Sequence, residues 1–151
     1  MLAARLKEFL DEKHIKYVTI DHSPAFTAQE LAHSAHIPGK EVAKTVIVRI
    51  DGEMAMVVTP ASESVHLGEL RKALGAEQIT IAKEHEFKDA FPDCETGAMP
   101  PFGNLYGMKV FVSPKLREDE EIAFNAGTHK ELVRLGYADF ERLVDPVPLA
   151  A

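Results

Sequence analysis

The stretch Gly97-Ala98-Met99-Pro100-Pro101-Phe102-Gly103 holds the residue types of this chain that point most directly to chemistry. Glycine at either end permits backbone angles that other residues avoid and lets a ligand come close to the main chain. Pro100 and Pro101 fix their own φ and restrict the residue before each of them. The expected product is a stiff loop whose few remaining N–H groups point in set directions. Such a loop can hold a carbonyl or carboxylate oxygen without a charged side chain. A Gly/Pro-rich run also marks an ordinary tight surface turn, and the segment alone does not separate the two.

Two more segments carry candidate groups. Lys44 sits inside a β-branched run, where period two places it on one face with Val42, Val46 and Val48. An ammonium on an apolar face is costly unless it finds a partner. There it would hold a phosphate or polarise a carbonyl as a compact point charge. The plain alternative is an edge-strand lysine that discourages aggregation. In Phe124-Asn125-Ala126-Gly127-Thr128-His129 a strand end runs into a glycine-containing loop, a common place for site residues. His129 would donate a hydrogen bond or act as a base near neutral pH, unless the segment is an ordinary turn with an exposed histidine.

Other candidates fall short. His33 and His36 are close on a short helical segment, but there is no His-Glu-x-x-His and no cysteine pair, so no metal site is expected. Ser62 and Ser64 lack the context of a nucleophile elbow. Cys94 stands between Asp93 and Glu95, whose carboxylates raise a thiol pKa, which disfavours a cysteine nucleophile.

These groups need a frame. Leu2, Leu6, Phe9 and Leu10 predict an amphipathic helix over residues 2–13, and Tyr17 to Ile20 read as a strand. Thr27-Ala28-Gln29-Glu30 is a capping-box pattern opening a short helix with Leu31. Val42 to Ile50, Asp51-Gly52 and Glu53 to Thr59 predict a hairpin, because Asp-Gly suits the positive φ of a two-residue turn. Leu67 to Leu74 form a helix that Gly75 stops. Gln78 to Ala82 read as a strand, and Glu84 to Phe91 as a helix ending at Pro92. Lys109 to Val112, Glu121 to Phe124 and Leu132 to Leu135 read as strands, and Asp139 is expected to cap a last helix. The order fits an α/β (α+β) fold, a curled mixed β-sheet with helices outside.

At 151 residues, with no Ser/Gly linker and no repeat, one domain over 1–151 is expected. There is no run of about 18 apolar residues, so no membrane span is expected. The charged, amphipathic start does not read as a signal peptide, and with one cysteine a cytoplasmic location is expected. The net charge of −7 argues against a protein that wraps nucleic acid with a broad basic face, but not against one that takes a nucleic-acid end into a small pocket. Lys7, Lys13, Lys16, Lys40 and Arg49 are candidates for a local basic rim.

Lys44-Thr45 in its strand, the Gly97-x-x-Pro100-Pro101 loop and Asn125-Ala126-Gly127 with His129 occur in a recognisable order. With Tyr17-Val18-Thr19-Ile20-Asp21-His22 and Val58-Thr59-Pro60, the chain from about Leu2 to Val144 resembles the YbaK/prolyl-tRNA-synthetase-associated domain family of aminoacyl-tRNA deacylases. The resemblance implies a partly closed, barrel-like mixed sheet ringed by helices. It implies metal-independent, cofactor-free hydrolysis of the ester joining a wrong amino acid to the 3′-terminal adenosine of a tRNA, usually a proline tRNA.

Carried over by position, Lys44 resembles the family's essential lysine, near the terminal phosphate or ester. The N–H groups of Gly97, Ala98 and Met99 resemble the loop on the scissile carbonyl, and Asn125, Gly127 and His129 the segment that contacts the aminoacyl group. Thr45, Pro100, Pro101 and Phe102 complete the expected substrate contacts, with Met99 and Phe102 narrowing an apolar pocket. Thr45 stands where the alanine-removing branch often has asparagine, and the loop is not the Gly-Gly-Ile-Ser-Pro type of the cysteine-removing branch. The expected substrate is alanine, or another small amino acid, on proline tRNA. The expected partners are the acceptor end of mischarged tRNA and, for delivery, a prolyl-tRNA synthetase. The alternative is a non-catalytic module that binds a tRNA end or a synthetase.

Overall fold

The computed structural model describes residues 3–21, 32–33 and 35–149. The capping box at Thr27 and its helix lie outside them, as does His22.

Helix α1 (Ala4–Glu12) leads into strand β1 (Tyr17–Asp21). Strands β2 (Ala43–Ile50) and β3 (Glu53–Pro60) form the hairpin, with Asp51 and Gly52 both at positive φ (49° and 90°), as a tight two-residue turn requires. Helix α2 (Leu67–Leu74) ends on Gly75 at φ 64°, the left-handed stop expected of it. Strand β4 (Ile79–Ile81) follows, then a single α-helical turn, α3 (Glu84–Phe87), continued as a 3-10 turn over Lys88–Ala90. Strands β5 (Lys109–Val112), β6 (Glu121–Asn125) and β7 (Glu131–Gly136), helix α4 (Tyr137–Val144) and the two-residue strand β8 (Val147–Pro148) complete the order.

The strands make two sheets. In one the order is β1-β7-β6, all antiparallel; in the other it is β4-β2-β3-β5-β8, with β3, β5 and β8 running parallel. Among the described residues, a single parallel bridge, Val42 to Ala123, joins them. The result is a curled mixed sheet that does not close into a barrel.

Alternation along β2 sorts its side chains onto two faces. Ala43 and Ile47 enter the main core with Met56, Val58, Phe102 and Phe124. Val42 joins a second cluster with Ala61, Ala123 and Leu132, while Val48 joins a third with Val57, Leu70 and Phe111 beneath α2. Two sequence expectations are corrected here. Asp139 does not cap α4: Gly136 holds the cap position, and the Asp139 carboxylate accepts from Arg142 at 2.9 Å. Strand β2 is interior in the sheet order, with β3 along its whole length and β4 along Val48–Ile50, against the edge strand that the plain reading of Lys44 supposed.

Candidate active site

The loop after β6 and the Gly/Pro loop are stitched together by their main chains. Glu95 N–H donates to the Gly127 carbonyl at 2.7 Å, and Gly127 N–H donates to the Ala98 carbonyl at 2.9 Å. His129 closes the junction from both of its ends. Its backbone N–H donates to the Glu95 carboxylate at 2.9 Å, and its ring Nε2, 2.9 Å from the Thr96 carbonyl oxygen, must carry the proton it donates there. The ring is buried and lies over Gly97, where a Cβ would stand 3.5 Å from His129 Cε1. The structure thus brings Gly97, Ala98, Gly127 and His129 together.

The donors of the Gly/Pro loop are unequal. Ala98 N–H is committed to the Glu95 carbonyl at 3.0 Å. Gly97, exposed and at φ 87°, points its N–H at the Met99 thioether sulfur, 3.1 Å away. A thioether is a weak acceptor, so an incoming oxygen can displace it. The second half of the loop does something else. Pro100, Pro101 and Phe102 are buried, and the Phe102 ring packs on Phe9, Phe124 and Phe140 with centroids 6.1, 5.5 and 5.7 Å away. Phe102 is therefore core, and Met99 lies in the same cluster. Gly103 serves close packing within the chain, since a Cβ there would meet the Met108 carbonyl oxygen at 2.7 Å.

Lys44 is half-buried and shares its face with Val42 and Val46, opposite to that of Ala43 and Ile47. Thr45 takes the other face. In register, Thr59 of β3 stands directly across from Lys44. On the far side, Val42 forms an isolated parallel bridge to Ala123, two residues before Lys44 on one strand and two before Asn125 on the other. The Thr59 hydroxyl and the Asn125 amide oxygen are both buried without a hydrogen-bond partner. Unpaired buried polar atoms are rare and call for a reason. Asn125 leads directly into the loop that carries Gly127 and His129.

Sequence reasoning named Thr59 only as part of the hairpin close. Its unpaired hydroxyl is a tertiary fact without a local signature.

Among the described residues, no three His, Cys, Asp or Glu side chains gather as a metal-binding group. Burial, reinforced by the Asp93 carboxylate, pushes the Cys94 thiol up to about 11, against the partial pull of the Tyr106 hydrogen bond. Two members of the expected basic rim are matched by carboxylates, Lys7 by Asp11 at 2.7 Å and Arg49 by Glu86 at 2.5 Å. No helix among the described residues is long and apolar enough to cross a membrane.

Residues 22–143 match the family model of the aminoacyl-tRNA editing domain. The chain is 25% identical over 147 residues to a multifunctional Ser/Thr-tRNA deacylase, ProXp-y, of Escherichia coli, covering 94% of this chain and 87% of that protein. It is 24% identical over 141 residues to the prolyl-tRNA editing protein ProX of Acetoanaerobium sticklandii, covering 89% and 85%. A solved structure provisionally assigned as a trans-editing enzyme for prolyl tRNA synthetase superposes with a TM-score of 0.82 at 19% identity, over 99% of this chain and 96% of that one, and shows the same fold.

Proposed function

Because this chain belongs to the aminoacyl-tRNA editing domain family, we propose that it is a trans-acting aminoacyl-tRNA deacylase whose site is the junction of Lys44, the Gly97 loop and the Asn125–His129 loop. The observation that supports the assignment is the packing of the His129 ring over Gly97, with Val42, two residues before Lys44, bridged to Ala123 on the strand that leads into the His129 loop.

The substrate is an already activated ester, so orientation and electrostatics suffice without a protein nucleophile. The Lys44 ammonium attracts the terminal phosphate or the ester oxygen. The Gly97 N–H leaves the Met99 sulfur for the carbonyl oxygen as negative charge develops there. A water attacks the carbonyl carbon, the bond to the ribose oxygen breaks, and the water's proton ends on that oxygen through the vicinal hydroxyl. The free amino acid and an intact tRNA end leave. His129 acts as a positioning residue, since its Nε2–H is given to the Thr96 carbonyl.

Alanine on proline tRNA is the substrate that the motifs suggest. A small hydroxylated amino acid is the second reading, favoured by the unpaired hydroxyl of Thr59 across from Lys44 and by the likeness to a Ser/Thr-tRNA deacylase. The test is release of amino acid from a panel of alanyl-, seryl-, cysteinyl- and prolyl-tRNA by wild type and Lys44→Ala. The variant is expected to lose release on every ester that the wild type cleaves, with its thermal midpoint intact. Unchanged rates in Lys44→Ala would remove the site assignment.

A further inference from the structure

The two site loops use many of their acceptors on each other. The carbonyl of Glu95 accepts from Ala98 N–H at 3.0 Å, that of Ala98 from Gly127 N–H at 2.9 Å, that of Gly127 from Glu95 N–H at 2.7 Å and that of Ala126 from Ala3 N–H at 2.7 Å. The Thr96 carbonyl accepts from His129 Nε2 at 2.9 Å. The Asp93 carboxylate, two residues before Glu95, is committed to Arg5 N–H at 3.2 Å and to the Tyr106 hydroxyl at 3.1 Å. Glu95 differs from all of these. It is exposed, one of its carboxylate oxygens takes His129 N–H at 2.9 Å, and among the described residues it has no ion-pair partner. An ionised carboxylate offers about four acceptor positions, so most of its capacity is open.

We infer that the Glu95 carboxylate binds the α-ammonium group of the esterified amino acid. This rests on the deacylase reading and deepens it, by adding the group that reads the amino end of the substrate. An α-amino group has an ordinary pKa of about 7.7–8.0, so at neutral pH it arrives largely as a cation. A cation taken out of water without a partner is costly. The bond from Ala98 N–H to the Glu95 carbonyl closes a turn over residues 95–98, with Gly97 at φ 87° in its third position, where a type II turn needs a positive φ. The ends of such a turn lie within about 7 Å of each other. In an α-amino ester three bonds of about 1.2–1.5 Å separate the nitrogen from the carbonyl oxygen, which sets them about 3 Å apart. A carbonyl oxygen held on Gly97 N–H therefore brings the ammonium within the span of the turn that Glu95 opens. The buried Asn125 amide oxygen is also unpaired, but it is neutral, and a bond with an ionised acceptor is roughly twice as strong. The carboxylate thus has two duties: one oxygen holds the His129 loop, and the charge holds the substrate's amino end. An N-acylated end carries no such charge, so a peptidyl ester is a poor substrate on this account.

The experiment measures kcat/KM on alanyl- and seryl-tRNA and on their deaminated counterparts, lactyl- and glyceryl-tRNA, in which a hydroxyl replaces the ammonium. Wild type, Glu95→Gln and Glu95→Ala are compared. Each variant is read against wild type on the same ester, which cancels the different reactivities of the esters. Glutamine keeps an oxygen for His129 N–H and loses the charge. Glu95→Gln is expected to slow the ammonium esters about tenfold, as for a lost hydrogen bond to a charged group, and to leave the hydroxy esters within about twofold, with its thermal midpoint intact. Glu95→Ala also strips His129 N–H of its acceptor, and is expected to slow both kinds of ester. Equal loss in Glu95→Gln on both kinds, or no loss on either, would overturn the ammonium assignment while the deacylase reading stands. A wild-type protein inactive on every ester of the panel would overturn both.

Discussion

The replacement Gly127→Ala tests whether the two site loops are held by the fold's first helix. Gly127 sits at φ 107°, a conformation closed to side-chain-bearing residues except under strain. A Cβ there would stand 2.9 Å from Ala3 Cβ and 3.0 Å from Ala3 N, and the same Ala3 N–H donates to the Ala126 carbonyl at 2.7 Å. The methyl group therefore strains its own backbone and pushes the start of α1 off the loop. Backbone strain of this kind costs about 1–3 kcal/mol. The displaced hydrogen bond adds about 0.5–1.5 kcal/mol. A loss of about 2–4 kcal/mol follows, which for a chain of this size lowers the thermal midpoint by roughly 5–15 °C. Urea unfolding followed by circular dichroism measures the loss. Gly68→Ala is the control, since a Cβ there meets nothing within 4 Å and the position lies in α2, so alanine is expected to gain about 0.5–1 kcal/mol. The deacylation rate of Gly127→Ala is expected to fall at temperatures where the variant is still folded, because Gly127 bonds the Gly/Pro loop through both its N–H and its carbonyl. A loss below about 1 kcal/mol with an unchanged rate would refute the clamp.

Two more outcomes are expected. If His129 positions the Gly/Pro loop through Nε2, then His129→Gln, whose amide nitrogen reaches the place of Nε2, keeps deacylation within about fivefold, while His129→Ala loses far more. A general base would be lost in both variants, at about 10²–10⁴ in rate, so equal collapse of the two would contradict the positioning role. At alkaline pH, burial pushes the Cys94 thiol to about 11 and, with the Glu141 carboxylate nearby, the Tyr137 hydroxyl to about 12. Both folded values lie above the unfolded references of 9.0 and 10.0, so their stabilisation is complete below pH 9 and is lost as pH rises through 11 to 12. Urea midpoints are expected to be flat between pH 7 and about 8.5 and to fall beyond, less steeply in Cys94→Ser; flat stability to pH 11 would contradict this.

The parts of the fold that a local pattern governs were legible in the sequence. Asp51-Gly52 determines its own turn, and Gly75 stops α2 because the left-handed conformation suits it. Period two put Lys44 on one face with Val42, Val46 and Val48, and the register agrees. What failed to show depends on distant partners. The two-residue β8 has no periodicity to read and exists only because Phe111 and Val112 offer it an edge. The loop 97–103 reads as one unit, yet its first half faces His129 and its second half enters the core, a division set by Phe9, Phe124 and Phe140. Asp139 looks like a cap by residue type, but Tyr137 N–H is already taken by the Glu120 carbonyl, 3.0 Å away, which starts the helix without it. Thr59 and Ser113 look like ordinary strand residues, and only the parallel pairing of β3 with β5 sets them beside each other.

The division within the Gly/Pro loop also bears on how such a site keeps its shape. A deacylase that relies on the substrate's own activation has no strong nucleophile to compensate for a misplaced donor, and a misplacement of about 1 Å can cost on the order of 10² in rate. Here the donor at Gly97 is five residues upstream of Phe102, a ring with no exposed surface, and the rigid Pro100-Pro101 pair lies between them. The acceptor side is fixed in the same way: Phe124, fully buried, precedes Asn125 and the loop that reaches His129. Phe102 and Phe124 touch each other at 5.5 Å between centroids, so one aromatic contact in the core sets the spacing of the two loops at the surface. The geometry of the site is on this account a property of the core as much as of the residues that meet the substrate.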